Sequence, residues 1–177
     1  MECGVNVPLC GVLTLESGLG PHRYAHDTPV VHGLWPETGR YGSSKCLKPD
    51  DASDPTVVHS CYDQRGEAQA DLIAFETHEW EKHGMCAGVR DEQDFFSQVC
   101  SLSSDPLAVL AKQRASGSSF DEMADALSSA GYEVFDTDST NKQVSLSACA
   151  GSDGQWRLAK LAEFSSVCSV SSAGASS

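Results

Sequence analysis

Positive charge is scarce in this chain: 12 Lys and Arg stand against 25 Asp and Glu in 177 residues, a formal net charge of −13. That balance argues against a general nucleic-acid coat and against a binder of anionic membrane surfaces, so any polyanion has to be gripped locally. Long apolar runs are missing too. Stretches such as Leu72-Ile73-Ala74-Phe75 stop far short of the roughly 20 residues of a bilayer-crossing helix, which excludes a helical membrane span. No basic-then-apolar leader opens the sequence, and any signal peptide is expected to have been removed before residue 1. There is no internal repeat, neither Asn6 nor Asn141 begins an Asn-x-Ser/Thr acceptor, and no Cys-x-x-Cys pair or regular Cys/His spacing marks a zinc site.

What the chain does have is eight cysteines, an even number that reads as disulfides formed in an oxidising compartment: extracellular, vacuolar or periplasmic. A hydrophobic share of 40% fills one ordinary core, so one domain is expected over residues 1–168, with the small and polar Ser169–Ser177 as a flexible tail. Val12–Leu15 and Pro29–Val31 are strand candidates, and the apolar-poor stretch Lys48–Gln69 reads as a long surface loop pinned by Cys46 and Cys61. Three helices follow. Phe95, Phe96, Val99 and Leu102 keep helical spacing, Asp105-Pro106 looks like a cap with proline at the first helical position, and Ser119 with Glu122 forms a capping box ahead of Phe120, Met123 and Leu127. Gly131 stops the third helix, and strand candidates Lys142–Cys149 and Gln155–Phe164 flank a Gly-Ser-Asp-Gly turn. Strands early, helices in the middle and strands late predict an α+β domain with a largely antiparallel sheet, several helices packed on it and disulfide bonds.

Chemistry-bearing side chains concentrate in two segments: His32-Gly33-Leu34-Trp35-Pro36, and His78-Glu79-Trp80-Glu81-Lys82-His83-Gly84-Met85-Cys86. The second reads as a short helix ended by Gly84. On it Glu79 and His83 are i, i+4 and Glu79 and Lys82 are i, i+3, which gathers a carboxylate, an ammonium and imidazoles into one outward patch while Trp80 and Ile73 face the core. Each part has a plainer reading, since a lone histidine is more often structural and an exposed Glu–Lys pair is worth only about 0.3–0.5 kcal/mol. A zinc helix fails on geometry, because it needs histidines four apart and His78 and His83 are five apart.

Together the two blocks resemble the active-site blocks of the ribonuclease T2 family, secreted acid endoribonucleases that include the plant self-incompatibility ribonucleases; both match without a substitution. The likeness runs more loosely from about Thr28 to Cys168, with Phe95-Phe96 similar to the family's aromatic helix and Leu161–Cys168 to its late strand ending in cysteine. The family's opening Gln-Trp-Pro-like strand has no counterpart in Met1–Pro29. The resemblance implies RNA cleavage without metal or other cofactor. A base takes the ribose 2′-OH proton, the 2′-oxygen attacks phosphorus, and an acid protonates the departing 5′-oxygen, giving a 2′,3′-cyclic phosphate that is then hydrolysed to a 3′-phosphate.

By that likeness His83 is the base and His32 the acid, with roles reversed in the hydrolysis; Lys82 and Glu79 stabilise the phosphorane and His78 holds the phosphate. Trp35 stacks the base on the 5′ side of the cut, Glu37 stands where the family has Asp, and Tyr41 and Phe75 are candidates for the base pockets. Lys82, with Arg40, Lys45 or Lys48, supplies the local cations. The resemblance further implies a Cys46–Cys86 bridge, and a Cys149–Cys168 bridge is expected to close the late strands; Cys3, Cys10, Cys61 and Cys100 leave three connectivities open. Imidazoles of ordinary pKa, near 6.5, give one neutral and one charged ring at mildly acidic pH, so activity is expected to peak below pH 7. The substrate is expected to be single-stranded RNA, the protein a monomer with no membrane partner. Two other readings compete. One is a catalytically silent RNA-binding or storage protein of the same fold, and the other is a metal-dependent phosphoesterase, which sensitivity to EDTA would reveal.

Overall fold

In the computed structural model, which describes residues 1–169, the eight residues of β1 (Leu9–Glu16) are all buried, as the central strand of a sheet covered on both faces must be. β2 (Val30–Pro36) and β4 (Gln143–Ala150) flank it antiparallel; β3 (Val134–Asp138) and the short β5 (Trp156–Leu158) pair with β4, giving the order β2-β1-β4-β3. Alternation divides the faces. Leu9, Leu13 and Leu15 point into the main core with Val144 and Leu146, while Cys10 joins a smaller cluster of Cys3, Val7, Cys149, Phe164 and Cys168. The domain is therefore α+β with an antiparallel sheet.

Among the described residues five α-helices pack around it: α1 (Ser60–Asp63), α2 (Gln69–Lys82), α3 (Glu92–Ala115), α4 (Phe120–Ser129) and α5 (Phe164–Val167). The capping box of Ser119 and Glu122 starts α4. α3 departs from the expected pair of helices, because it runs unbroken through Pro106. The missing N–H at Pro106 loses one backbone bond, yet Phe96, Val99, Ser103, Pro106 and Leu110 are all buried at spacings of three and four, and keeping that stripe on the core outweighs the loss. The late strand is likewise shorter than Gln155–Phe164. After Leu158 the chain turns into a 3-10 turn at Leu161–Glu163 and then α5, which brings buried Phe164 and Cys168 onto the second cluster.

Four disulfides join Cys3–Cys10, Cys46–Cys86, Cys61–Cys100 and Cys149–Cys168, so the pairing left open resolves into one local loop and one tie between α1 and α3. Lys48–Gln69 is not wholly a surface loop. Its second half carries α1 and buries His59, Cys61, Tyr62 and Arg65 against the edge of β2 and against α2. The expected tail lies, from residue 170 onward, outside the described residues.

Candidate active site

Both sequence blocks meet at β2. Leu15 pairs with Val31 and Thr14 with Gly33, so His32 is the extra residue of a β-bulge. The bulge lets Val31 and Leu34, three apart, both sink into the main core, and turns His32 toward the face that carries Glu16, Gly33 and Trp35. Side chains from α1 and the turn after it secure it: Tyr62 donates its hydroxyl to the His32 carbonyl at 3.0 Å, and the Arg65 Nη1 donates to the Val31 carbonyl at 3.2 Å.

α2 supplies the second block, but not as an outward patch. It is 14 residues long, ends at Lys82 rather than Gly84, and buries Leu72, Glu76, Glu79 and Trp80. Ile73 is only half-buried. Glu79 is buried because its oxygens have partners: Oε2 accepts from the Trp35 indole Nε1 at 2.8 Å, and Oε1 lies 3.4 Å from His32 Nε2. Gly33 makes this approach possible, since a Cβ there would stand 2.1 Å from Glu79 Oε2. His83 caps α2, its N–H still bonded to the Glu79 carbonyl at 2.9 Å, and the 3-10 turn Gly84–Cys86 leads to the disulfide with Cys46. The ring of Trp35 contacts both imidazoles, His83 stacked at 5.1 Å and His32 edge-on at 5.0 Å between centroids. Phe75 packs on His32 at 5.2 Å.

The two imidazoles differ in their neighbours. Burial alone would push His32 down, but hydrogen bonds and charge from Glu16 and Glu79 outweigh it and hold the ring at about 9, against an ordinary 6.5. His83 is also pushed down by burial. Glu79 opposes this only in part, while His32, His78 and Lys82 add to it, and the ring sits at about 4. Between those values one ring is charged and the other neutral.

A cavity of about 790 Å³ opens beside His32, with Phe75 and exposed His78 on one wall and Arg23, Tyr24 and His26 on the other. Lys82 is exposed near His83. Among the described residues no hydrogen bond, ion pair or ring contact joins Glu37 or Tyr41 to this cluster. Glu37 is half-buried, with its carboxyl pushed up by burial, and Tyr41 is 60% exposed beneath the Arg40 guanidinium.

Four further residues reach the cluster without having been singled out in the sequence. Glu16 Oε1 lies 2.9 Å from His32 Nδ1, Gln143 Nε2 lies 2.7 Å from the same nitrogen, Arg65 clasps Glu16, and Tyr62 holds the bulge. Glu16 left one trace, a carboxylate at the end of the apolar run Val12–Leu15; Arg65, Tyr62 and Gln143 left none.

The model of the Ribonuclease T2 family matches residues 10–138, so the matched span begins inside β1 even without a Gln-Trp-Pro sequence, and it ends before Leu161–Cys168. Ribonuclease 3 of Arabidopsis thaliana is 33% identical over 129 residues, covering 64% of this chain and 51% of that protein, so the chain spans about half the length of this relative. A crystal structure of a point mutant of RNase MC1 in complex with 5′-UMP is similar at a TM-score of 0.49 and 20% identity, over 85% of this chain and 91% of that one. With both blocks intact and 129 consecutive positions matched, the chain belongs to the ribonuclease T2 family.

Proposed function

We propose that this protein is an endoribonuclease that cuts single-stranded RNA by transphosphorylation to a 2′,3′-cyclic phosphate, followed by hydrolysis to a 3′-phosphate, with two histidines and no metal ion moving the protons. The observation that carries this reading is the unlike setting of the two rings on Trp35. His32 is held between carboxylates that favour its charged form, and His83 has no ion pair among the described residues.

Neutral His83 takes the 2′-OH proton. Charged His32 has Nδ1 turned to Glu16 and Nε2 only loosely paired with Glu79 at 3.4 Å, so Nε2–H is the proton given to the departing 5′-oxygen. The roles reverse as water opens the cyclic phosphate. Exposed Lys82 and His78 face the negative charge that builds on the phosphorane. Buried Glu79 acts through His32 and Trp35 rather than on phosphorus, where a carboxylate would add repulsion. The nucleotide bearing the 2′-OH lies on the His83 and Trp35 side, and the leaving nucleotide lies on the His32 side, toward Phe75 and the cavity. Four disulfides suit export to an oxidising compartment.

These environments change the expected pH profile. With the base near 4 and the acid near 9, kcat/KM has a broad plateau centred at about pH 6.5 in place of a narrow acidic peak. Digestion of homopolymer RNAs with product analysis, with and without EDTA, tests the function. Cyclic phosphates followed by 3′-phosphates, unchanged by EDTA, are expected. Binding without cleavage would instead mark a silent RNA-binding protein, and loss of cleavage in EDTA a metal-dependent phosphoesterase.

A further inference from the structure

We propose that Glu16 is a positioning residue for this cleavage: from the end of β1 it fixes the orientation of His32 and keeps it protonated, while Arg65 keeps Glu16 ionised. The proposal rests on His32 being the acid.

Glu16 is fully buried, and a carboxylate in such a place stays charged only if both oxygens are satisfied. They are. His26 Nε2 donates to Oε2 at 2.7 Å, His32 Nδ1 meets Oε1 at 2.9 Å, and the Arg65 guanidinium forks across the two oxygens at 3.3 and 3.4 Å. Burial raises the Glu16 carboxyl, but the two histidine bonds and the Arg65 charge overcome this and hold it at about 2. Arg65 is itself buried, and its guanidinium lies 4.3 Å over the Phe75 ring, so water screens its attraction for Glu16 little. Were Arg65 absent, the proton shared along the Glu16–His32 contact could rest on the carboxylate and leave a neutral imidazole. With Arg65 present it rests on His32.

The polar and titratable groups around His32 come from several elements: Glu16 from β1, Tyr24 and His26 from the segment after it, Arg65 from the loop before α2, Gln143 from β4, and Glu79, His78, Lys82 and His83 from α2 and its end. The two carboxylates are the acidic groups that reach the ring nitrogens, one on each. The result is a row of alternating charge: Arg65, Glu16, His32, Glu79. Gln143 Nε2 lies 2.7 Å from the same Nδ1; with the Nδ1 proton directed at Glu16, that amide has to turn over and present its oxygen, and Nε2–H is the proton left to transfer.

The test is an NMR titration of the His32 ring together with the pH profile of kcat/KM on a short RNA, for the native protein and for Glu16→Gln. A double variant, Glu16→Gln with Arg65→Met, removes both buried charges and keeps the test intact should the lone Arg65 unfold the single variant. The native His32 should titrate at about 9. In the variants its midpoint and the alkaline limb should fall together by about one unit or more. A native midpoint near that of free histidine, or a folded variant whose midpoint stays put, overturns the proposal. A midpoint that moves while the alkaline limb does not shows that His32 is not the acid, which overturns the proposal through its premise. A purely structural Glu16 would lower activity at every pH and move neither.

Discussion

His32 and His83 touch the same indole, yet one lies on a bulge of the edge strand β2 and the other where a helix gives way to a 3-10 turn. Around His32 the backbone is held by Tyr62 and Arg65 and both ring nitrogens face carboxylates. Around His83, burial beside the face of Trp35, aided by His32, His78 and Lys82, outweighs Glu79 and disfavours a second cation. Two copies of one side chain thereby differ by about five pH units in their readiness to hold a proton, the difference on which the proposed pairing of an acid and a base at one pH rests.

The sharpest way to break the comparison is to remove either ring. His32→Ala and His83→Ala should each lower kcat on RNA by about 10²–10⁴-fold in a folded protein. The losses should differ in kind: because His32 is the group tied into the sheet, His32→Ala should also lower Tm by several degrees, whereas His83→Ala should leave it nearly unchanged. Steady-state kinetics and thermal melts of both variants check this.

Both blocks were legible because each is contiguous in the sequence and its residue types match the chemistry. What surrounds them was not, because it depends on register. Glu16 and Gln143 come from two strands, Tyr62 from α1 and Arg65 from the loop after it, and they converge only once β1 lies between β2 and β4 and a bulge turns His32 toward them. The reading of Glu79 as an outward charge failed for the same reason, since its partners Trp35 and His32 are more than forty residues away along the chain. In α3 and the late segment, local signals were overridden by packing: Pro106 and Phe164 sit where the core and the second cluster need them, not where a proline cap or a long strand would put them.

Stability should follow the same division of charge. Glu16, lowered to about 2 from 4.5, stabilises the fold above pH 4.5, and that contribution is lost as pH falls toward 2. His83, lowered to about 4 from 6.5, gives a contribution complete above 6.5 and lost as pH falls toward 4. His32, raised from 6.5 to about 9, contributes fully below 6.5 and loses that contribution as pH rises toward 9. Tm measured against pH should therefore peak near 6.5 and fall on both flanks by several degrees, the alkaline flank becoming shallower in Glu16→Gln.

Smaller perturbations sharpen the picture. Gly33→Ala places a Cβ against Glu79 and should cost about 1–3 kcal/mol in denaturant unfolding, with a lowered alkaline limb as Glu79 is pushed from His32. Tyr41→Ala touches neither ring. It should change stability by less than about 0.5 kcal/mol and leave kcat at saturating RNA unaltered, so that a base-binding role would register in KM alone.

The most direct test of the account is to titrate the two imidazoles in the native protein by NMR, with His32→Ala and His83→Ala used to identify the signals. The account predicts a His32 midpoint at about 9 and a His83 midpoint at about 4. Two midpoints close to each other near 6.5, or the reverse order, would contradict it.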